Sequence, residues 1–213
     1  MTWNINDAPV QNGRIAIVTG ANSGLGFDTA LALAGKGCSV VLACRNLDKA
    51  KAAQEKILAR HPKARIECLA LDLGSLKSVR AFAASFSKSH KKLDLLINNA
   101  GIMMPPYSLS EDGFEGQMAA NYLGHFALTG LLLPLLSKTP GSRVVSLSSL
   151  AHNGGASARS EYSRVERLSL SACVKGMPPP LRACGKVRGY SACGSVDAGT
   201  AASAAPARIA VLA

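Results

Sequence analysis

The chain has 213 residues, of which 48% are hydrophobic and 17% charged, with 24 Lys and Arg against 13 Asp and Glu, for a formal net charge of +11. That length suits one domain with a sizeable core, and the hydrophobic share excludes a wholly disordered chain. The charge is spread, with 16 basic and 10 acidic residues in 1–154 and 8 and 3 in 155–213, so it reads as solvated surface and no nucleic-acid partner is expected.

Strand and helix signals alternate through the first three-quarters. Arg14 to Thr19 is a β-branched apolar run, followed by a glycine-rich turn and a helical stretch from Gly24 to Lys36 that Gly35 and Gly37 stop. Cys38 to Ala43 is the next strand. Asn46 caps a helix to about Arg60, with Ala50, Ala53, Ile57 and Leu58 on one face. Arg65 to Leu71 is a third strand. Ser75 caps a helix in which Val79, Phe82, Ala83 and Phe86 recur at helical spacing. Leu93 to Ile97 is the fourth strand, roughly Glu111 to Leu136 a long helical region, and Arg143 to Leu147 the fifth strand. Apolar strands with helical crossovers predict a doubly wound α/β fold. It is a Rossmann-like parallel sheet covered on both faces, with strand order 3-2-1-4-5.

After about Gly154 the pattern stops. Of the 43 positions in 171–213, 24 are Ala, Gly, Pro or Ser, and only Arg208 to Leu212 reads as a strand. Two regions are therefore expected: a nucleotide-binding domain over 1–154, and an atypical, loosely ordered, low-complexity basic tail over 155–213. The six cysteines show no Cys-x-x-Cys spacing and the four histidines no ligand pairing, so no metal is expected. The N-terminus lacks a signal pattern. The longest apolar run, Ala127 to Leu136, is too short to span a bilayer. The expected compartment is the cytoplasm.

The segment TGANSGLG places Gly20, Gly24 and Gly26, with Asn22, Ser23 and Leu25 between them, at the first strand–helix junction. Gly20 allows a tight turn, Gly24 a close approach of backbone to a pyrophosphate, and Gly26 close helix–strand packing. The helix start offers free N–H groups and a positive dipole end to phosphates. A glycine trio alone is a weak signal that turns and caps also produce. Its position after a strand and before a helix is what makes it a dinucleotide signature.

Further along, LDL at 71–73, NNAG at 98–101, NYLGHFALT at 121–129 and RVVSLSSLAH at 143–152 follow in order. With these motifs, residues 13 to about 154 resemble the short-chain dehydrogenase/reductase family, close to its retinol-dehydrogenase-like and WW-domain-oxidoreductase-like members. The resemblance implies hydride transfer between a nicotinamide and a small alcohol or carbonyl compound, with a retinoid or other lipophilic substrate in view. Asp72, beside Leu73, is placed to accept from the adenine amino group, to cap a helix, or both. Asn98, Asn99, Ala100 and Gly101 end the fourth strand at the switch point, where small residues admit the cofactor and the asparagine amides brace the sheet or touch the ligand. Arg45 and Asn46 follow the second strand, where a carboxylate would bind the 2′-hydroxyl of NAD. None precedes Asp48, and an arginine forks onto a 2′-phosphate, so the expected cofactor is NADP in preference to NAD. The alternative for Arg45 is a surface arginine near a helix start.

By the same resemblance Ser149 holds the substrate oxygen and Asn121 anchors a relay water. The bland alternatives are a turn serine and a buried amide. The family also carries Tyr-x-x-x-Lys, and this sequence does not. Four residues after Tyr107, Tyr122, Tyr162 and Tyr190 come Glu111, Phe126, Glu166 and Gly194. Tyr162 lies 13 positions after Ser149, yet a carboxylate beside a phenol disfavours the phenolate that a lysine would favour. From VERLSLSACVKGMPPP onward the text departs from the family, in the form expected of a reading-frame change, an alternative exon end or genuine divergence, with the remaining family strands truncated or replaced. Three readings follow: an oxidoreductase with an unconventional base, a nucleotide-binding remnant with little turnover, and an interaction protein using its basic tail.

Overall fold

The computed structural model describes residues 4–148 and, as backbone, 208–212. Strands β1 (Ile15–Thr19), β2 (Ser39–Cys44), β3 (Ile66–Ala70), β4 (Leu95–Asn98), β5 (Arg143–Leu147) and β6 (Arg208–Leu212) form one sheet in the order 3-2-1-4-5-6. Every neighbouring pair is parallel. The expected order of the first five strands is therefore observed. The strand-like run Arg208–Leu212 adds a sixth, paired with β5 from Arg143↔Arg208 to Leu147↔Leu212. The rest of the expected tail, 155–207, lies outside the described residues.

Alternation along β1 distributes the core. Ala16 and Val18 face one side, against Ala30 and Ala34 of α1 (Gly24–Gly35) and Ala50, Ala53 and Ile57 of α2 (Leu47–Arg60). Ile17 faces the other, against Val79, Phe82 and Phe86 of α3 (Leu76–Ser89) and Leu128, Leu132 and Leu136 of α4 (Gly116–Lys138). A strand buried on both faces has no polar side to show, which is why the central strands β1, β2 and β4 read as near-continuous apolar runs. The expected caps are present: Lys49 N–H donates to Asn46 Oδ1 at 2.9 Å and Ser78 N–H to Ser75 Oγ at 3.3 Å.

The long helix departs from expectation at its start. It begins at Gly116, because Glu115 takes the cap, its carboxylate accepting from Gln117 and Met118 N–H. The preceding residues instead form a loop closed by a bridge between Leu109 and Glu115. As expected it passes Pro134, and it ends at Lys138. By length and composition alone its 23 residues are long and apolar enough to cross a membrane, which the shorter apolar run did not suggest. Its Leu128, Leu132 and Leu136 are fully buried against the sheet and α3.

Leu132→Ala removes a fully buried side chain from the α3–α4 layer. The expected cost is about 2–5 kcal/mol, read as a lower urea midpoint at unchanged slope. A shift worth under about 1 kcal/mol would show that α4 does not pack there.

Candidate functional site

Parallel strands end together, so the loops leaving β1 to β4 meet along one edge of the sheet. There they enclose an open cleft of about 360 Å³. One wall is the loop after β1 with the start of α1, contributing Gly20, Asn22, Ser23, Leu25 and Gly26. The facing wall is Asn99, Ala100, Gly101 and Ile102 after β4. Ala43, Cys44 and Arg45 close the β2 end, Leu71, Asp72 and Leu73 the β3 end, and Ala120 of α4 reaches in from below.

Two glycines shape this cleft by what they lack. Gly20 sits at φ +65°, and a Cβ there would lie 3.0 Å from Ala100 Cα, so the turn needs both the left-handed backbone and the missing side chain. At Gly26 a Cβ would come within 2.5 Å of Gly20 O and Asn99 Nδ2, so any side chain would lift α1 off the turn. Helix α1 is also capped differently from its neighbours. At the starts of α2 and α3 a cap side-chain oxygen accepts from a backbone N–H of the first turn, whereas Ser23 makes no such bond. Its first N–H groups and the positive end of the dipole therefore face the cleft without a side-chain cap, a donor set suited to an anionic group. This geometry fits a pyrophosphate-bearing cofactor.

The other expected residues divide. Arg45 is exposed on the cleft wall at the end of β2, and among the described residues no acidic side chain pairs with it. Asp72 lines the cleft while its Oδ1 accepts from Gly74 N–H at 2.9 Å, closing the turn into α3. Asn99 lines the cleft, and its Nδ2 donates to Thr19 O at 2.8 Å, bracing β4 against β1. Three of the expected cofactor-binding residues stand outside the lining. Gly24 supplies a left-handed turn at φ +55°, Asn46 caps α2, and Asn98 is buried under the cleft, its Nδ2 donating to Thr129 Oγ1 and Ser146 Oγ.

Asn121 lies on a π-helical turn, Ala119–Leu123, within α4. Such turns carry one extra residue per loop and recur at functional positions. Its side chain is engaged at both ends: Ile102 N–H donates to Oδ1 and Nδ2 donates to Ile102 O, each at 2.8 Å. The amide thus holds the loop after β4 against α4. Next to that loop Met104, at φ +50°, is held by its N–H donating to Gln117 Oε1 at 2.8 Å. Ser149 and Tyr162 lie outside the described residues.

Sequence reasoning missed Thr19 and His125. Thr19 Oγ1 accepts from the N–H groups of Asn99 and Ala100, both at 2.9 Å, and lies 3.0 Å from His125 Nε2. His125 Nδ1 lies 3.0 Å from the Asn121 carbonyl. The one available signal was the spacing of His125 four residues after Asn121, which puts the two on one helix face. Burial, partly opposed by that carbonyl, holds the His125 imidazole below its ordinary pKa of 6.5.

The unfolded chain therefore takes up this proton as pH falls below about 6.5, before the folded one does, and stability is lost in that window. The stability advantage of the native chain over His125→Gln, which cannot titrate, is expected to shrink between about pH 7.5 and pH 5 in urea melts. A gap independent of pH would show that His125 titrates normally when folded.

Residues 14–164 match the family model described as short chain dehydrogenase. Over 143 residues the chain is 51% identical to retinol dehydrogenase 11 of Mus musculus and 48% identical to retinol dehydrogenase 13 of Homo sapiens; each alignment covers 67% of this chain but only 45% and 43% of those relatives. The chain thus spans less than half the length of the curated relatives it matches. Among solved structures, an uncharacterized protein from Mycobacterium paratuberculosis is similar at a TM-score of 0.65 and 41% identity, covering 87% of this chain and 61% of that one. A short chain dehydrogenase from Shigella flexneri complexed with NADP is similar at a TM-score of 0.60 and 26% identity, covering 76% and 70%. With a parallel sheet of the expected order and a glycine-shaped cleft at its switch point, the chain belongs to the short-chain dehydrogenase family.

Proposed function

We propose that this chain binds NADP(H), and that its ancestral reaction is hydride transfer between the nicotinamide and a small, lipophilic alcohol or carbonyl compound, retinoids among them. We further propose that turnover in the chain as written is low. The observation that carries the cofactor choice is Arg45, exposed on the cleft wall where a carboxylate would select NAD. The NADP complex of the similar Shigella flexneri dehydrogenase supports the same reading.

On this reading the uncapped start of α1 and the Gly20–Gly26 turn hold the pyrophosphate, Arg45 clamps the 2′-phosphate, and Asp72 faces the adenine. A bound nicotinamide supplies the hydride. Asn121 holds the Ile102 backbone and with it the wall of the cleft, and Ser149 is the candidate partner for the substrate oxygen. The missing part is the proton donor. A positioned acid or base contributes roughly 10²–10⁴-fold to such a step. A serine alone is a poor donor, and no tyrosine here has lysine four residues on.

NADPH is expected to bind more tightly than NADH by fluorescence quenching, and Arg45→Ala to erase most of the difference. A bidentate charge-assisted contact is worth roughly 1.5–3 kcal/mol, or about 10- to 150-fold. Equal titration curves for the two cofactors in the unmutated chain would overturn the assignment.

With NADPH and a panel of aldehydes, ketones and retinoids, turnover is expected to be at background and unchanged by Tyr162→Phe. Robust turnover abolished by that substitution would show that Tyr162 serves as the acid without its lysine. Reading the coding DNA across codons 150–180 in the other two frames distinguishes a displaced Tyr-x-x-x-Lys from genuine divergence.

A further inference from the structure

The Thr19 hydroxyl has two lone pairs and one proton. Both lone pairs are taken, by the N–H groups of Asn99 and Ala100 at 2.9 Å each. Its proton must go outward, and the nearer acceptor is His125 Nε2 at 3.0 Å, against 3.4 Å for Ile97 O. A proton on Nε2 would meet a saturated oxygen. At the other end of the ring, Nδ1 faces the Asn121 carbonyl at 3.0 Å, which can only accept. Both ends therefore demand the same neutral form, with hydrogen on Nδ1 and a lone pair on Nε2. Thr19 is fully buried and His125 is 8% exposed, so water does not offer either group an easy substitute.

We propose that His125 is a positioning residue for the cofactor cleft. As the neutral Nδ1–H tautomer it takes the Thr19 proton, and this aims both Thr19 lone pairs at the Asn99 and Ala100 N–H groups that set the wall after β4. Its own Nδ1–H occupies the Asn121 carbonyl. One ring thereby joins the end of β1, the loop after β4 and the π-helical turn that carries Asn121. The effect on cofactor affinity rests on the NADP(H) reading above; the tautomer and the hold on Asn99 and Ala100 do not.

The tests use the full chain. Nitrogen-15 NMR of labelled histidine at neutral pH is expected to show His125 as the Nδ1–H tautomer; an Nε2–H tautomer or an imidazolium would overturn the proposal. Two variants separate the bonds, because Gln places an oxygen near the position of Nε2 and Asn a nitrogen near that of Nδ1. Asn99 and Ala100 amide exchange is expected to quicken about tenfold in His125→Asn and in His125→Phe, the loss of one buried hydrogen bond, and to stay near native in His125→Gln. NADPH dissociation constants are expected to follow the same order. Equal exchange in all three variants would overturn the assignment of Nε2 as the acceptor. If the native chain fails to bind NADPH while exchange follows the expected order, the cofactor reading falls and the positioning role stands.

Discussion

At the C-terminal end of β1 a single oxygen, Thr19 Oγ1, accepts two backbone N–H groups from the loop after β4 and stands 3.0 Å from an imidazole of α4. The site depends on this junction because β1 and β4 are the neighbours from which the sheet winds in opposite directions. Loops leaving such a pair diverge and open a crevice, and something must hold their first residues in register. Thr19 does so from one side, with its hydroxyl and its carbonyl both engaged with Asn99 or Ala100. The buried setting raises the worth of each bond and the cost of losing one.

Absent side chains complete what the hydroxyl begins. Ala100 lies so close to Gly20, and Gly26 so close to the Gly20 carbonyl, that the β1 turn, the β4 loop and α1 form one close-packed unit. The same logic recurs at Gly124, where a side chain would run into the Leu73 carbonyl, so α4 approaches the end of β3 by the same device. These close approaches leave no room for a side chain at the turn where the phosphates of the proposed cofactor would lie. The cleft's positive charge comes from the helix start and from Arg45, opposite the carboxylate of Asp72 at the β3 end.

Helix α4 serves two purposes at once. Its buried leucines form much of one core layer, and its π-helical turn places Asn121 beside Ile102. The extra residue in that turn shifts the helix phase locally, letting the apolar stripe below stay on the sheet while Asn121 faces the loop. A helix so apolar satisfies the composition of a membrane span and of a core helix alike, and in this fold its apolar face is covered by β-strands and α3.

The amino-acid sequence by itself determined the strand order of the first five strands, the glycine turn, the caps at Asn46 and Ser75, and the missing tyrosine–lysine pair. These are legible because they rest on local causes: apolar periodicity, the left-handed backbone that glycine permits, and side chains that bond their own helix start. The motifs also named most of the cleft lining, and tertiary structure decided which of the named residues face it. Asn98 and Asn99 are adjacent, yet strand alternation buries the first beneath Thr129 and Ser146 and leaves the second on the wall. Thr19 and His125 are 106 positions apart, and nothing in either neighbourhood names the other. Asn121 reads as an amide on a long helix, and only the π-helical turn brings it to Ile102. A hydrogen bond is chosen by distance and by which lone pairs remain, and both are settled when the layers pack.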